Sequence, residues 1–284
     1  MERFPPRRWR GRGTNAERYE VILKILLIGD IVASPGRDAV KKIVPKLRSE
    51  KAIDFVIANA ENVAGGSGLT PETVDELFKN KIDVITSGDH VWKKKELYER
   101  IAKDNRILRP ANYPESCPGS GMTIVSGVNG KKVAVLNLLG RVFMDPVDCP
   151  FQAAERELRK INRETKIILV DMHAEATSEK IAMGRFLDGR VSVVFGTHTH
   201  VQTADEKIFP HGTGYITDLG MTGPQDSVIG RRHDAIVEHF LTCMPKKFEI
   251  GDKEVELQGA IVNIDDETGK AVSIERVKEK LEDR

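Results

Sequence analysis

Cysteine is scarce in this chain: Cys117, Cys149 and Cys243 are the only three in 284 residues, far apart and outside any Cys-x-x-Cys pattern. A set that is odd in number and scattered argues against a disulfide framework and against a thiolate zinc site. Net charge is scarce too. At +1, from 44 basic and 43 acidic residues, nothing global points to nucleic acid or an anionic membrane as partner. No apolar stretch reaches the 18 or more residues of a membrane span. There is no internal repeat and no interdomain linker. The "GGSG" at 65–68 lacks the Gly-Lys-Ser/Thr that would make it a P-loop. These absences leave a cytoplasmic protein as the expectation.

The charge that is present is unevenly spread. Residues 1–20 hold six Arg against three Glu, which leaves a mildly acidic body. That opening is rich in Arg, Pro and Gly without periodicity and is expected to be a disordered basic tail, followed by a single domain over residues 21–284. It imitates a secretory signal, but Lys24 breaks the apolar run and no small-residue cleavage site follows.

Along that domain, β-type runs alternate with helical patterns. Strands are expected over 24–30, 53–62, 82–90, 132–140, 166–173 and 191–195, and helices over 37–50, 93–102, 152–163 and 177–188. Another helix starts at "TPETVDELF", with Thr70 as N-cap and Pro71 at the first helical position. Pro45 is expected to kink the first helix. From about 214, the segments "GYITDLGM", "HFLTCMP", "KKFEI", "EVELQGAIVNID" and "KAVSIERV" read as a run of β segments, with "DETGK" as a hairpin turn. The fold class is α/β, with strands covered on both faces by helices.

The informative residues stand at the strand tips. The first strand ends in Asp30, the second in Glu61-Asn62, the third in Asp89-His90, and two later ones in His173 and in His198-Thr199-His200. Parallel strands open their carboxyl ends onto one crevice, so residues 170 positions apart are expected to meet there. Taken singly, each has an ordinary reading as a cap, a turn or a hydrogen-bonded histidine. Together, four of the seven histidines with two aspartates, a glutamate and an asparagine predict a metal site. Carboxylate, amide and imidazole ligands without thiolate suit Mn²⁺, Fe or Zn²⁺. One catalytic zinc needs only about three protein ligands. The surplus predicts two ions sharing a carboxylate, roughly 3.5–4 Å apart, whose chemistry is in-line attack of a metal-bound hydroxide on phosphorus.

The motifs "GDIVASPGR", "IANAENVAGGSGLT", "TSGDHVW", "RPANYP", "HAEATSEK", "GTHTHVQTAD" and "GYITDLGMTGP", in this order from about residue 24, resemble the YmdB-like branch of the calcineurin-like metallophosphoesterases. The resemblance implies a four-layer αββα sandwich holding two divalent or mixed-valence transition metals, iron or manganese ahead of zinc. It implies phosphodiesterase activity on small diesters, notably 2′,3′-cyclic nucleotides. Carried across, Asp30, Glu61, Asn62 and His200 would hold one ion. Glu61, Asp89, His173 and His198 would hold the other. His90 would bind no metal, but would stabilise charge on the phosphate and protonate the leaving oxygen.

Two departures stand out. The superfamily's Asp-x-His reads Asp30-Ile31-Val32, with Asn62 in the missing histidine's place, and the family's Gly-Asn-His reads Gly88-Asp89-His90. Gly36 and Arg37 are a weaker candidate for holding phosphate at a helix start. "RPANYP" and Arg141 are weaker candidates for shaping the substrate side, and His211, His233 and His239 are expected to be structural or surface residues. Two other readings compete. One is a metal-containing regulatory or RNA-associated protein with little turnover, supported only by the Arg-rich tail. The other is an amidohydrolase barrel with its own His-x-His. The sequence leaves a homo-oligomer open.

Overall fold

The computed structural model describes residues 22–127 and 130–282, so the expected tail lies outside the described residues. One sheet contains β1 (Ile22–Ile28), β2 (Asp30–Ile31), β3 (Phe55–Asn59), β4 (Val84–Thr86), β11 (Met221–Pro224), β12 (Val255–Asp265) and β13 (Ala271–Lys280). The other contains β5 (Met122–Ser126), β6 (Lys132–Leu139), β7 (Ile167–His173), β8 (Val193–Thr197), β9 (Lys207–Ile208) and β10 (Gly214–Ile216). β1, β3 and β4 run parallel, as do β6, β7, β8 and β10. Both sheets are open, which removes the amidohydrolase barrel.

Residue parity explains the packing, because successive side chains on a strand point to opposite faces. In β1, Leu26 and Ile28 pack with α1 (Ala33–Glu50), α2 (Pro71–Lys79) and α3 (Leu97–Lys103), through Val40, Val44, Leu77 and Ile101. Leu23, Ile25 and Leu27 join a second cluster with Val133 and Val135 of β6, Leu169 of β7 and Phe195 of β8. The alternate residues of those strands, Ala134, Leu136, Val170 and Val194, pack in a third cluster with α4 (Pro150–Ile161) and α5 (Thr177–Phe186). The expectation of helices on both faces is therefore corrected: the second cluster joins strand residues of both sheets and contains no helical residue. A strand buried on both sides reads as the same apolar run whichever partner covers it.

Three local expectations also change. "HFLTCMP" supplies the end of a helix, α6 (His233–Thr242), and "KKFEI" is irregular. Phe240 and Leu241, 76% and 80% exposed, lie on the solvent side of α6, where a short apolar run cannot reveal its period. The first helix begins at Ala33, not Arg37, and continues through Pro45. Thr70 caps α2 as expected, in a capping box with Thr73, and the "DETGK" turn joins β12 to β13. Among the described residues no helix is long and apolar enough to cross a membrane, and the three cysteines are free.

Candidate metal centre

Each candidate ligand sits where a parallel strand ends. Asp30 follows Gly29, whose missing side chain lets the carbonyl of Gly220 approach and accept the Asp30 N–H at 3.1 Å. Glu61 and Asn62 follow β3, in a turn fixed by the Glu61 N–H donating to Asn59 Oδ1 at 3.1 Å. Asp89 and His90 open a short 3₁₀ turn, Asp89–Trp92, after β4. His173 is the last residue of β7. His198 and His200 follow β8 with φ of 101° and 63°, left-handed conformations that cost a non-glycine residue of order 1–3 kcal/mol each. Such strain persists only where the surroundings impose it.

The strand ends converge. Ligand atoms of Glu61, Asp89, His173 and His198 all lie within 4.8 Å of one another. His173 Nε2 is 3.3 Å from Glu61 Oε2, 3.3 Å from Asp89 Oδ1 and 3.0 Å from His198 Nδ1. Beside this group, His200 Nε2 lies 3.8 Å from Asp30 Oδ1 and 3.2 Å from the Asn62 amide nitrogen. Asn62 in turn reaches Glu61 Oε1 at 3.2 Å. Glu61 thus touches both halves. His90 Nδ1 sits 2.7 Å from Asn62 Oδ1, and its backbone N–H donates to Glu61 Oε2 at 3.1 Å.

Groups outside the cluster set which ring nitrogens face it. His173 Nδ1 pairs at 2.8 Å with Thr197 Oγ1, whose hydroxyl donates to Asp171 at 2.7 Å. His198 Nε2 faces Glu175 at 3.3 Å, and His200 Nδ1 donates to the Ile229 carbonyl at 3.1 Å. The other nitrogen of each ring, Nε2 of His173, Nδ1 of His198 and Nε2 of His200, keeps its lone pair for the cluster. Asn59 and Thr86 add hydrogen bonds to Asp171. None of this supporting set was among the expected residues. The available signal was a polar residue inside an otherwise apolar strand, a position that a buried polar group holds only when it is hydrogen-bonded.

Charge in the cluster favours a cation. Burial pushes the Asp30 carboxyl up to about 6, and its Oδ1 is buried without a hydrogen-bond partner among the described residues. Burial also works against the Glu61 and Asp89 carboxylates, but their contacts with His173 outweigh it and hold both below the usual range. His173 is correspondingly raised despite its burial, by Glu61 and Asp89. Burial and the charge of His173 push His198 down to about 4. The carboxylates thus draw positive charge toward themselves, a role that a bound metal ion would fill. An orphaned carboxylate oxygen and two facing imidazole nitrogens fit bound metal.

The weaker candidates do not join the centre. Arg37 is bound to Glu76 at 2.7 Å and to the Val63 carbonyl at 2.8 Å, so it braces the loop after Glu61 and is not free for phosphate. Asn112 of "RPANYP" ties Leu139 and Asp148 together, while Tyr113 packs edge-on against Trp92. The Arg141 side chain is exposed, and its backbone N–H donates to Glu179. His211, His233 and His239 lie elsewhere, each with a local partner or an exposed ring.

A phosphatase from Mycoplasma pneumoniae superposes with a TM-score of 0.86 at 32% identity, over 92% of this chain and 94% of that one. A hypothetical protein from Thermus thermophilus superposes at 0.85 with 38% identity, over 91% and 99%. The 2′,3′-cyclic-nucleotide 2′-phosphodiesterase of Bacillus subtilis is 49% identical over 255 residues, 90% of this chain and 96% of that protein. The YmdB-like protein family matches residues 26–277, nearly the whole described chain, and on these grounds the chain belongs to the YmdB-like family.

Proposed function

We propose that the protein is a dinuclear metal-dependent phosphodiesterase whose substrates are small phosphodiesters, 2′,3′-cyclic nucleotides first among them. The observation that carries this reading is the grouping of Glu61, Asp89, His173 and His198, whose ligand atoms lie within 4.8 Å of one another, with Asp30, Asn62 and His200 beside them and Asp30 Oδ1 orphaned. The relative in Bacillus subtilis, whose name specifies a 2′,3′-cyclic-nucleotide substrate, supports the substrate class. Three successive apolar clusters support the four-layer αββα arrangement.

In this reading Asp30, Glu61, Asn62 and His200 hold one ion, and Glu61, Asp89, His173 and His198 hold the other. Oxygen and imidazole donors without thiolate suit iron, manganese or zinc, and the family resemblance puts iron or manganese first. When bound, such a pair supplies Lewis acidity toward phosphoryl oxygens and a nucleophile at neutral pH. Asn62 adds one requirement. Its Nδ2 is turned to Glu61 and His200, and its Oδ1 to His90. Ligation through oxygen takes a half-turn of the amide. The same half-turn presents Nδ2 to His90 Nδ1 as a donor and leaves the proton of His90 on Nε2. From there His90 donates to the phosphate and then to the leaving oxygen.

The test is cleavage of 2′,3′-cyclic AMP by anaerobically purified protein supplied with Mn²⁺, Fe²⁺ or Zn²⁺. His90→Ala is expected to lose about 10²–10⁴-fold in rate while keeping its metal. Saturable RNA binding with no hydrolysis under any of these ions would refute the enzyme and favour the regulatory alternative.

A further inference from the structure

Thr199 stands between the two histidines that the two ions divide. Its hydroxyl donates to Asp218 Oδ2 at 2.6 Å and its backbone N–H to the same oxygen at 3.2 Å. Lys180 Nζ donates to that oxygen as well, at 2.7 Å. The other oxygen of Asp218 accepts the Gly220 N–H at 2.8 Å. Lys180 and Asp218 are both completely buried. Lys180 reaches Asp218 from α5 by crossing Gly196, where any side chain would press on Lys180 Cδ at 2.7 Å. A lysine carried this far inside is costly unless fully paired, and nothing in the proposed reaction uses it.

We propose that Lys180, Asp218 and Thr199 are positioning residues that fix the His198-Thr199-His200 turn for metal binding. The inference rests on the dinuclear reading. Asp218 ties down the middle of a turn whose flanking residues both hold left-handed backbone, so that two imidazoles one residue apart serve different ions. Lys180 offsets the charge of Asp218. The carboxylate is thereby held on Thr199, and does not become a further anionic ligand.

The experiment titrates Mn²⁺ into the chelator-stripped full chain by calorimetry and follows metal-free thermal unfolding in parallel. Thr199→Ala is expected to lose about 10–100-fold in Mn²⁺ affinity with its metal-free melting midpoint unchanged. Thr199→Ser, which keeps the hydroxyl, should bind as the wild type does. Lys180→Met should show the larger affinity loss if it folds; if it does not, the Thr199 pair decides. Wild-type affinity in Thr199→Ala, or a lowered metal-free midpoint with affinity intact, would mean a purely structural role and overturn the proposal. Two ions in the wild type beside an unaffected Thr199→Ala would sink this proposal alone. A wild type that takes up no Mn²⁺ would sink the dinuclear reading and this proposal together.

Discussion

Gly88→Ala should disable the centre through a single methyl group. Gly88 has φ −150° and ψ −137°, outside the left-handed region, so the objection to a side chain is the available space. A Cβ there would stand 2.5 Å from Glu61 Oε2 and closer still to the ring of His173 at Cδ2 and Nε2. Ordinary contact begins at about 3.5 Å, so Glu61 must retreat by roughly 1 Å and His173 by more. His173 has nowhere to go: it is wholly buried and tied to Thr197 at 2.8 Å. Metal–ligand distances tolerate only about 0.2 Å, so the ion between these two residues is expected to be lost. A misplacement of about 1 Å at the reacting centre costs on the order of 10²-fold in rate. The overpacking costs about 1–3 kcal/mol of stability, which a domain of ordinary stability survives. Elemental analysis of the purified variant, turnover of a chromogenic aryl diester and thermal unfolding together read these effects. Two ions per chain with wild-type turnover in Gly88→Ala would show that Glu61 and His173 do not hold an ion between them.

Other consequences are open to measurement. Asp89→Asn removes one of two carboxylates from the His173–His198 group, and should weaken a divalent ion there by roughly tenfold or more while barely moving the metal-free melting temperature, since Asp89 is partly exposed. Metal content and the order of preference among Mn²⁺, Fe²⁺ and Zn²⁺ report on this, and identical values in both proteins would count against Asp89 as a ligand. Chelation should lower the melting temperature, and Mn²⁺ restored to 100 times its Kd should return about 2.7 kcal/mol; a midpoint indifferent to chelator would speak against an ion linking the two sheets. Thr70→Ala removes the cap of α2 and should cost about 1 kcal/mol in denaturant unfolding, with metal content unaltered.

The candidate ligands were legible because of where they stand. Asp30, Glu61, Asp89, His173 and His198 each follow an apolar run, and a strand's end shows in a sequence as the abrupt end of such a run. Their meeting point follows from parallel strands alone. The identity of each strand's neighbours was less legible. Leu27 faces the other sheet and Leu26 faces a helix, yet both read as leucine in a buried strand. The orientation of Asn62 depends on its partners in space and leaves no mark in the chain. The supporting shell was hidden for a related reason. Asn59, Thr86, Asp171 and Thr197 look like interruptions of apolar strands when each is taken by itself. Paired across the sheets they form one unit, with Asn59 and Thr86 from one sheet bonded to Asp171 in the other at 3.3 and 2.5 Å. The apolar contact between sheets ends there and the candidate metal centre begins. Apolar contact resists sliding only weakly, whereas a buried carboxylate accepting from both sheets holds them in one relative position. Ligands drawn from two separate sheets need such a lock. The same polar residues that weaken each strand's apolar pattern therefore keep Glu61 of one sheet within reach of His173 of the other.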